Sequence, residues 1–74
     1  MTPHDPGEVA GMRISDADRD RAASVLGNAL AEGRLTAEEH SARLDATFAA
    51  KTHADIVPLV RDLPRTDGAW LAPA

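Results

Sequence analysis

The residues of this 74-residue chain that could do chemistry are three histidines, three serines and a scatter of acids. A nucleophilic serine needs a tight glycine-flanked turn and a paired base. Ser15, Ser24 and Ser41 have neither nearby in sequence. Two histidines on one helix bind a metal when they stand at i and i+4, because both rings then project from one face. His4, His40 and His53 contain no such pair. Glu39 beside His40 looks like a piece of the H-E-x-x-H zinc motif, but the order is reversed and the second histidine is missing. His4 and Asp5 could touch a cation, yet their surroundings read as a solvated tail. Asp16, Asp18 and Asp20 alternate around a helix instead of converging, so they read as capping and solvation. There is no cysteine, which removes disulfides and thiolate metal sites. No glycine-rich loop could cradle a phosphate. Catalysis, a metal and a cofactor are therefore not expected, and the chemistry left is recognition by a surface.

That surface depends on the elements that build it, and these are organised around Glu32, Gly33, Arg34, Leu35, Thr36, Glu39 and His40. Gly33 can take the left-handed conformation that closes a helix. Thr36 and Glu39 form a capping-box pair that opens the next one. So few residues lie between stop and start that the two helices must fold back on each other. Upstream, Ser15 is an N-cap with Asp16 and Asp18 in the first turn. Helix 1 is predicted over 16–32, with Ala22, Val25, Leu26, Ala29 and Leu30 on one stripe. Met12 and Ile14 flank Arg13 as an extended lead-in that lays Ile14 on the core. Gly27 sits mid-helix, either for close approach of another backbone or simply tolerated.

Helix 2 is predicted over 37–50. Its stripe is His40, Leu44, Thr47 and Phe48, with Leu35 and His40 placed as a hydrophobic staple across the cap. Glu39 and Arg43 stand at i and i+4 in the favourable order. Counting outward from the turn sets Leu30 against the His40 level, Leu26 against Leu44, and Ala22 against Phe48. On this reading Phe48 is core, and Phe48→Ala would cost on the order of 3 kcal/mol.

Two helices cannot seal a core, and Ile56, Leu59, Val60 and Leu63 supply a third stripe. Pro58 bears on its start. A cap at Thr52 would bury Pro58 inside the helix and cost the hydrogen bond to Ala54. A cap at Asp55 puts it in the first turn, where the missing N–H is harmless. Helix 3 is thus predicted over 56–63 after a separate turn at 52–55, with Pro64 as its stop. The expected core is Leu26, Leu30, Leu35, His40, Leu44, Phe48, Ile56, Leu59 and Leu63. Val25, Val57 and Val60, at stripe edges, together with Trp70, are the candidate interaction surface.

Composition bounds the partners. The formal net charge is −4 with histidines neutral, and the eight basic residues are scattered. Nucleic acid is therefore disfavoured as a partner. The hairpin outline does match a helix-turn-helix. A recognition helix, however, offers its N-terminal residues to the groove, and here those are Glu38 and Glu39. No apolar run approaches the roughly 18 residues of a membrane span, and no signal peptide is evident. A cytoplasmic setting is expected, at the cytoplasmic face of a membrane if the chain belongs to a longer protein.

One set of residues carries a resemblance. It opens with Met12-Arg13-Ile14-Ser15-Asp16-Ala17-Asp18-Arg19 and runs through Leu30-Ala31-Glu32-Gly33-Arg34-Leu35-Thr36. Glu38-Glu39-His40, Arg43-Leu44 and Ala49-Ala50-Lys51-Thr52 follow, then Asp55-Ile56, Leu59 and Asp62-Leu63-Pro64. The stretch from Met12 to Pro64 resembles the DUF1707 family, a SHOCT-like domain common in actinobacteria. The resemblance implies a domain that sits near an N-terminus, often ahead of membrane-spanning segments or another domain. Related modules of that type imply oligomerisation or association. The His40 position is often aromatic in the family, in keeping with a staple, whereas Pro58 departs from its pattern of helix formers.

Together these readings give an all-α domain: an antiparallel helical hairpin with a short third helix packed on it. The domain spans 12–64 between flexible tails at 1–11 and 65–74. The expected function is a protein-interaction or oligomerisation module whose partner is another protein or a second copy. The alternative is a regulatory domain that binds DNA or assists a transcription factor.

Overall fold

The computed structural model describes residues 11–64, which form three helices and no strand. α1 spans Asp16–Ala31, α2 Ala37–Ala49 and α3 His53–Val60. The expected tails lie outside the described residues, apart from Gly11.

α1 and α2 begin where side chains and backbone at the helix start exchange hydrogen bonds. At α1 the Ser15 N–H donates to Asp18 Oδ2 at 2.9 Å, and the Asp18 N–H donates back to Ser15 Oγ at 3.1 Å. This reciprocal pair goes beyond the simple Ser15 cap expected from sequence. Gly33 ends α1 with φ of 76°. Its N–H donates to the Leu30 carbonyl, and the Arg34 N–H donates to the Ala29 carbonyl. That double closure is the Schellman arrangement, which needs a left-handed residue in the position of Gly33. At α2 the Thr36 N–H donates to Glu39 Oε1 at 2.8 Å, and the Glu39 N–H donates to Thr36 Oγ1 at 3.1 Å.

α3 begins and ends three residues earlier than the spacing predicts. Thr52, not Asp55, is its N-cap, so Pro58 lies inside the helix. Asp55 instead reaches back with Oδ2 to accept from the N–H groups of Lys51 and Thr52, at 3.0 and 3.1 Å. Ile56 and Val60, which flank Pro58, are fully buried. Their burial, worth about 1.5–3 kcal/mol for each side chain, offsets the hydrogen bond that proline removes. Ala54 and Pro58 are both exposed, so the freed carbonyl meets solvent. Past Val60 the chain turns, with the Leu63 N–H donating to the Val60 carbonyl.

The lead-in is tied to the start of α3. Ile14 N–H donates to the Lys51 carbonyl, and His53 N–H donates to the Met12 carbonyl, both at 3.0 Å. The pairing is a single antiparallel bridge between Arg13 and Thr52.

The core gathers Ile14, Ala22, Val25, Leu26, Ala29, Leu35, Ala50, Ile56, Val60 and Leu63, and α1 touches both other helices. Phe48 is a correction: it is 58% exposed, and Thr47 beside it is fully buried. α2 also packs on both other helices, and its most buried line faces the gap between them. Thr47 lies on that line. Phe48, about 100° further round the helix, falls on the rim. Burying Thr47 is cheap because its Oγ1 donates to the Arg43 carbonyl at 2.8 Å. Leu30 is likewise at the rim, 36% exposed. Leu44 and Leu59 are half-buried against the core, and His40 is half-buried.

Candidate interaction surface

Several of the acidic and basic side chains hold the backbone at helix ends and between helices. The Thr36 N–H, and next its hydroxyl, keep the Glu39 carboxyl below its ordinary pKa. The Lys51 N–H, followed by that of Thr52, does the same for Asp55. Arg43 does not simply pair along its own helix with Glu39. It spans Asp62 with both terminal nitrogens, at 2.7 and 3.1 Å, and also donates to the Leu59 carbonyl at 3.1 Å. That bidentate contact lowers the Asp62 pKa and raises that of Arg43. It fastens the middle of α2 to the end of α3. Arg19 bridges in the same manner, from Asp16 to the Ala50 carbonyl. His53 opens α3 with its ring buried, and His40 stands on α2. Among the described residues no three His, Cys, Asp or Glu side chains cluster as a metal site would require.

Two of the three valines expected to form a surface are buried instead. Val25 and Val60 are 3% and 0% exposed. Both belong to the buried core cluster. Val57 is half-buried against the core. Trp70 lies outside the described residues.

The exposed apolar groups lie elsewhere, at Phe48, Leu30 and Met12. On α2, His40, Leu44 and Phe48 stand at i, i+4 and i+8, one row along the helix. Exposure grows along it from half-buried His40 and Leu44 to exposed Phe48. Arg43, Ala46 and Ala50 mark the flank of α2 that meets α3. The Phe48 row is on the other side of Thr47, so it borders α1 on the face of the hairpin away from α3. On α1, Ala23, Gly27 and Leu30 share the flank that adjoins this row, at i, i+4 and i+7. Ala23 and Gly27 are half-buried. A methyl group added at Gly27 would meet nothing within 4 Å. One face of the hairpin therefore presents a projecting ring and, near it, an open place floored by small residues. Sequence reasoning singled out both Phe48 and Gly27, but assigned the ring to the core.

The model of the DUF1707 SHOCT-like domain matches residues 12–64. The chain belongs to that family. The matched span coincides with the lead-in, the three helices and the turn ending at Pro64, so the DUF1707 domain and the described fold are the same unit. Two uncharacterized proteins of Mycobacterium tuberculosis, from strains CDC 1551 and H37Rv, are each 40% identical to this DUF1707 chain over 57 residues. The match covers 77% of this chain and 20% of either relative, so the chain spans about a fifth of the length of these curated relatives. No solved structure matches it. No helix among the described residues is long and apolar enough to cross a membrane.

Proposed function

We propose that this DUF1707 domain is a non-catalytic interaction module that pairs with a second copy of itself through the Phe48 face of the hairpin. The observation that carries the reading is the exposure of Phe48, 58%, in a chain with one phenylalanine and no tyrosine. A domain with so few large apolar side chains gains little net stability from its own core, since burial and ordering nearly cancel at this size. Leaving its only phenylalanine at the rim wastes scarce apolar area unless something covers it. The same face offers both a ring and an open place at Gly27. An apolar row on one helix can pack against its own copy about a two-fold axis, where the same patch meets itself. Pairing α2 against α2 in opposite directions would bring the Leu44 side chains together near the axis and lay each ring toward the partner's α1. Mass action would then stabilise the fold as concentration rises.

Light scattering and sedimentation over a concentration series test this. The expected result is a reversible dimer for the parent chain and a monomer for Phe48→Ser at the same concentrations. A parent chain that stays monomeric at high micromolar concentration would overturn pairing with itself. A Phe48→Ser chain that dimerises as the parent does would remove this face from the contact.

A further inference from the structure

The opposite edge of α2 bears a second apolar feature that the Phe48 reading does not use. Ala46 and Ala49 of α2 face Ala54, Pro58 and Leu59 of α3 across an open groove of about 590 Å³. Lys51 and Asp55 add its polar lining. That volume lies inside the roughly 300–1,000 Å³ range of sites that hold compact organic groups. Its apolar lining is mostly alanine and proline, with Leu59, so the groove is shallow, a shape suited to a flat ring.

We propose that the groove is the docking site of this chain's own Trp70 and Leu71. Three observations support that occupant. First, the described structure stops at Pro64, just past α3, one wall of the groove. Five residues lie between Pro64 and Trp70, and the six steps from one to the other, at about 3.3–3.6 Å each, span up to roughly 20 Å. α3, with eight residues, is about 12 Å long, so Trp70 can reach back along all of it. Second, Trp70 is the only tryptophan in the chain, and Leu71 follows it directly. Tryptophan covers more apolar area than any other side chain on docking, with only two side-chain torsions to fix. Third, a short covalent tether makes docking intramolecular, at an effective concentration near millimolar, so a modest contact suffices. The docked segment would cover the exposed ring of Pro58. It would leave the Phe48 face open, since Ala46 and Ala49 share a side of α2 that Phe48 does not.

The single tryptophan makes the test direct. Steady-state fluorescence of the full chain should be blue-shifted, and acrylamide quenching several-fold weaker, compared with the same chain unfolded in urea. Ala54→Arg and Ala49→Arg place a long charged side chain in the groove from exposed helix positions. Both should return emission and quenching toward the unfolded values while helicity by circular dichroism stays the same. Phe48→Ala should leave the tryptophan signal unchanged, which separates this contact from the pairing face. Trp70 quenched as readily in the folded chain as in urea would overturn the proposal. So would a blue shift that survives both arginine variants, or one that disappears on dilution, because the tryptophan would then be seated on another copy.

Discussion

Phe48→Ala in dilute protein separates a rim ring from a core ring. Phe48 is 58% exposed, so about four-tenths of it is covered. Removing a fully buried phenylalanine costs about 3–5 kcal/mol. Four-tenths of that is about 1–2 kcal/mol, and alanine's better helix propensity returns about 0.5 kcal/mol. The monomer should therefore lose only about 1 kcal/mol. Ile56→Ala is the internal standard. Ile56 is fully buried between the helices, and its truncation should cost about 2–5 kcal/mol. Urea unfolding followed by circular dichroism, at a concentration where the parent chain is monomeric, measures both. The same pair of chains is then compared at high concentration. A partner present at 100 times its dissociation constant adds about 2.7 kcal/mol, and each kcal/mol moves the melting temperature of a domain this small by about 4–8 °C. The parent chain should gain stability with concentration, and Phe48→Ala should not. A loss of 3 kcal/mol or more for Phe48→Ala in dilute solution would mean that the ring is core after all. The rim assignment and the pairing reading built on it would both fall.

Other outcomes follow from the caps and from Gly27. Gly27→Ala has open space for its methyl group and should raise monomer stability by about 0.5–1 kcal/mol. A destabilised monomer in a thermal melt would refute the open-space assignment. Thr36→Ala removes the acceptor for the Glu39 N–H and should cost about 1 kcal/mol in urea unfolding; an unchanged midpoint would remove the cap from the account of α2. The carboxyls of Glu39, Asp55 and Asp62 are all held below their ordinary pKa in the folded chain. Their contribution is complete above the unfolded value, near pH 4, and is lost as the pH falls through the lower folded values, because the unfolded chain binds protons first. Stability should thus be level from neutral pH to about pH 5 and decline below about pH 4, with a shallower decline for Glu39→Gln with Asp55→Asn; an identical acid profile for that double variant would count against these contacts. Arg43→Lys cannot span both Asp62 oxygens and the Leu59 carbonyl together. It should loosen the α2–α3 contact slightly, less so in high salt, and full stability in low salt would refute the bridging role.

How the chain divides into helices was written locally. Ser15 with Asp18, Gly33, and Thr36 with Glu39 mark boundaries through hydrogen bonds that span six residues or fewer, so spacing alone exposes them. The start of α3 was also present, as Thr52-x-x-Asp55, the same short pattern as the other two. Pro58 concealed it, because the local cost of a proline is visible in sequence and the burial of Ile56 and Val60 that offsets it is not.

The sequence by itself settled that this is a hairpin of two capped helices with a third apolar stripe. Only the tertiary structure decided which side of each helix became surface. Thr47 and Phe48 are adjacent, and both fit a stripe that is drawn against one neighbour. α2 in fact has two neighbours, and the line between them selects Thr47 for the interior and leaves Phe48 at the rim. The same crowding takes Val25 and Val60 out of solvent. Periodicity reports how wide an apolar face is. Where that face is cut off depends on how many helices press on it and from which directions, and this is fixed only when all three are packed.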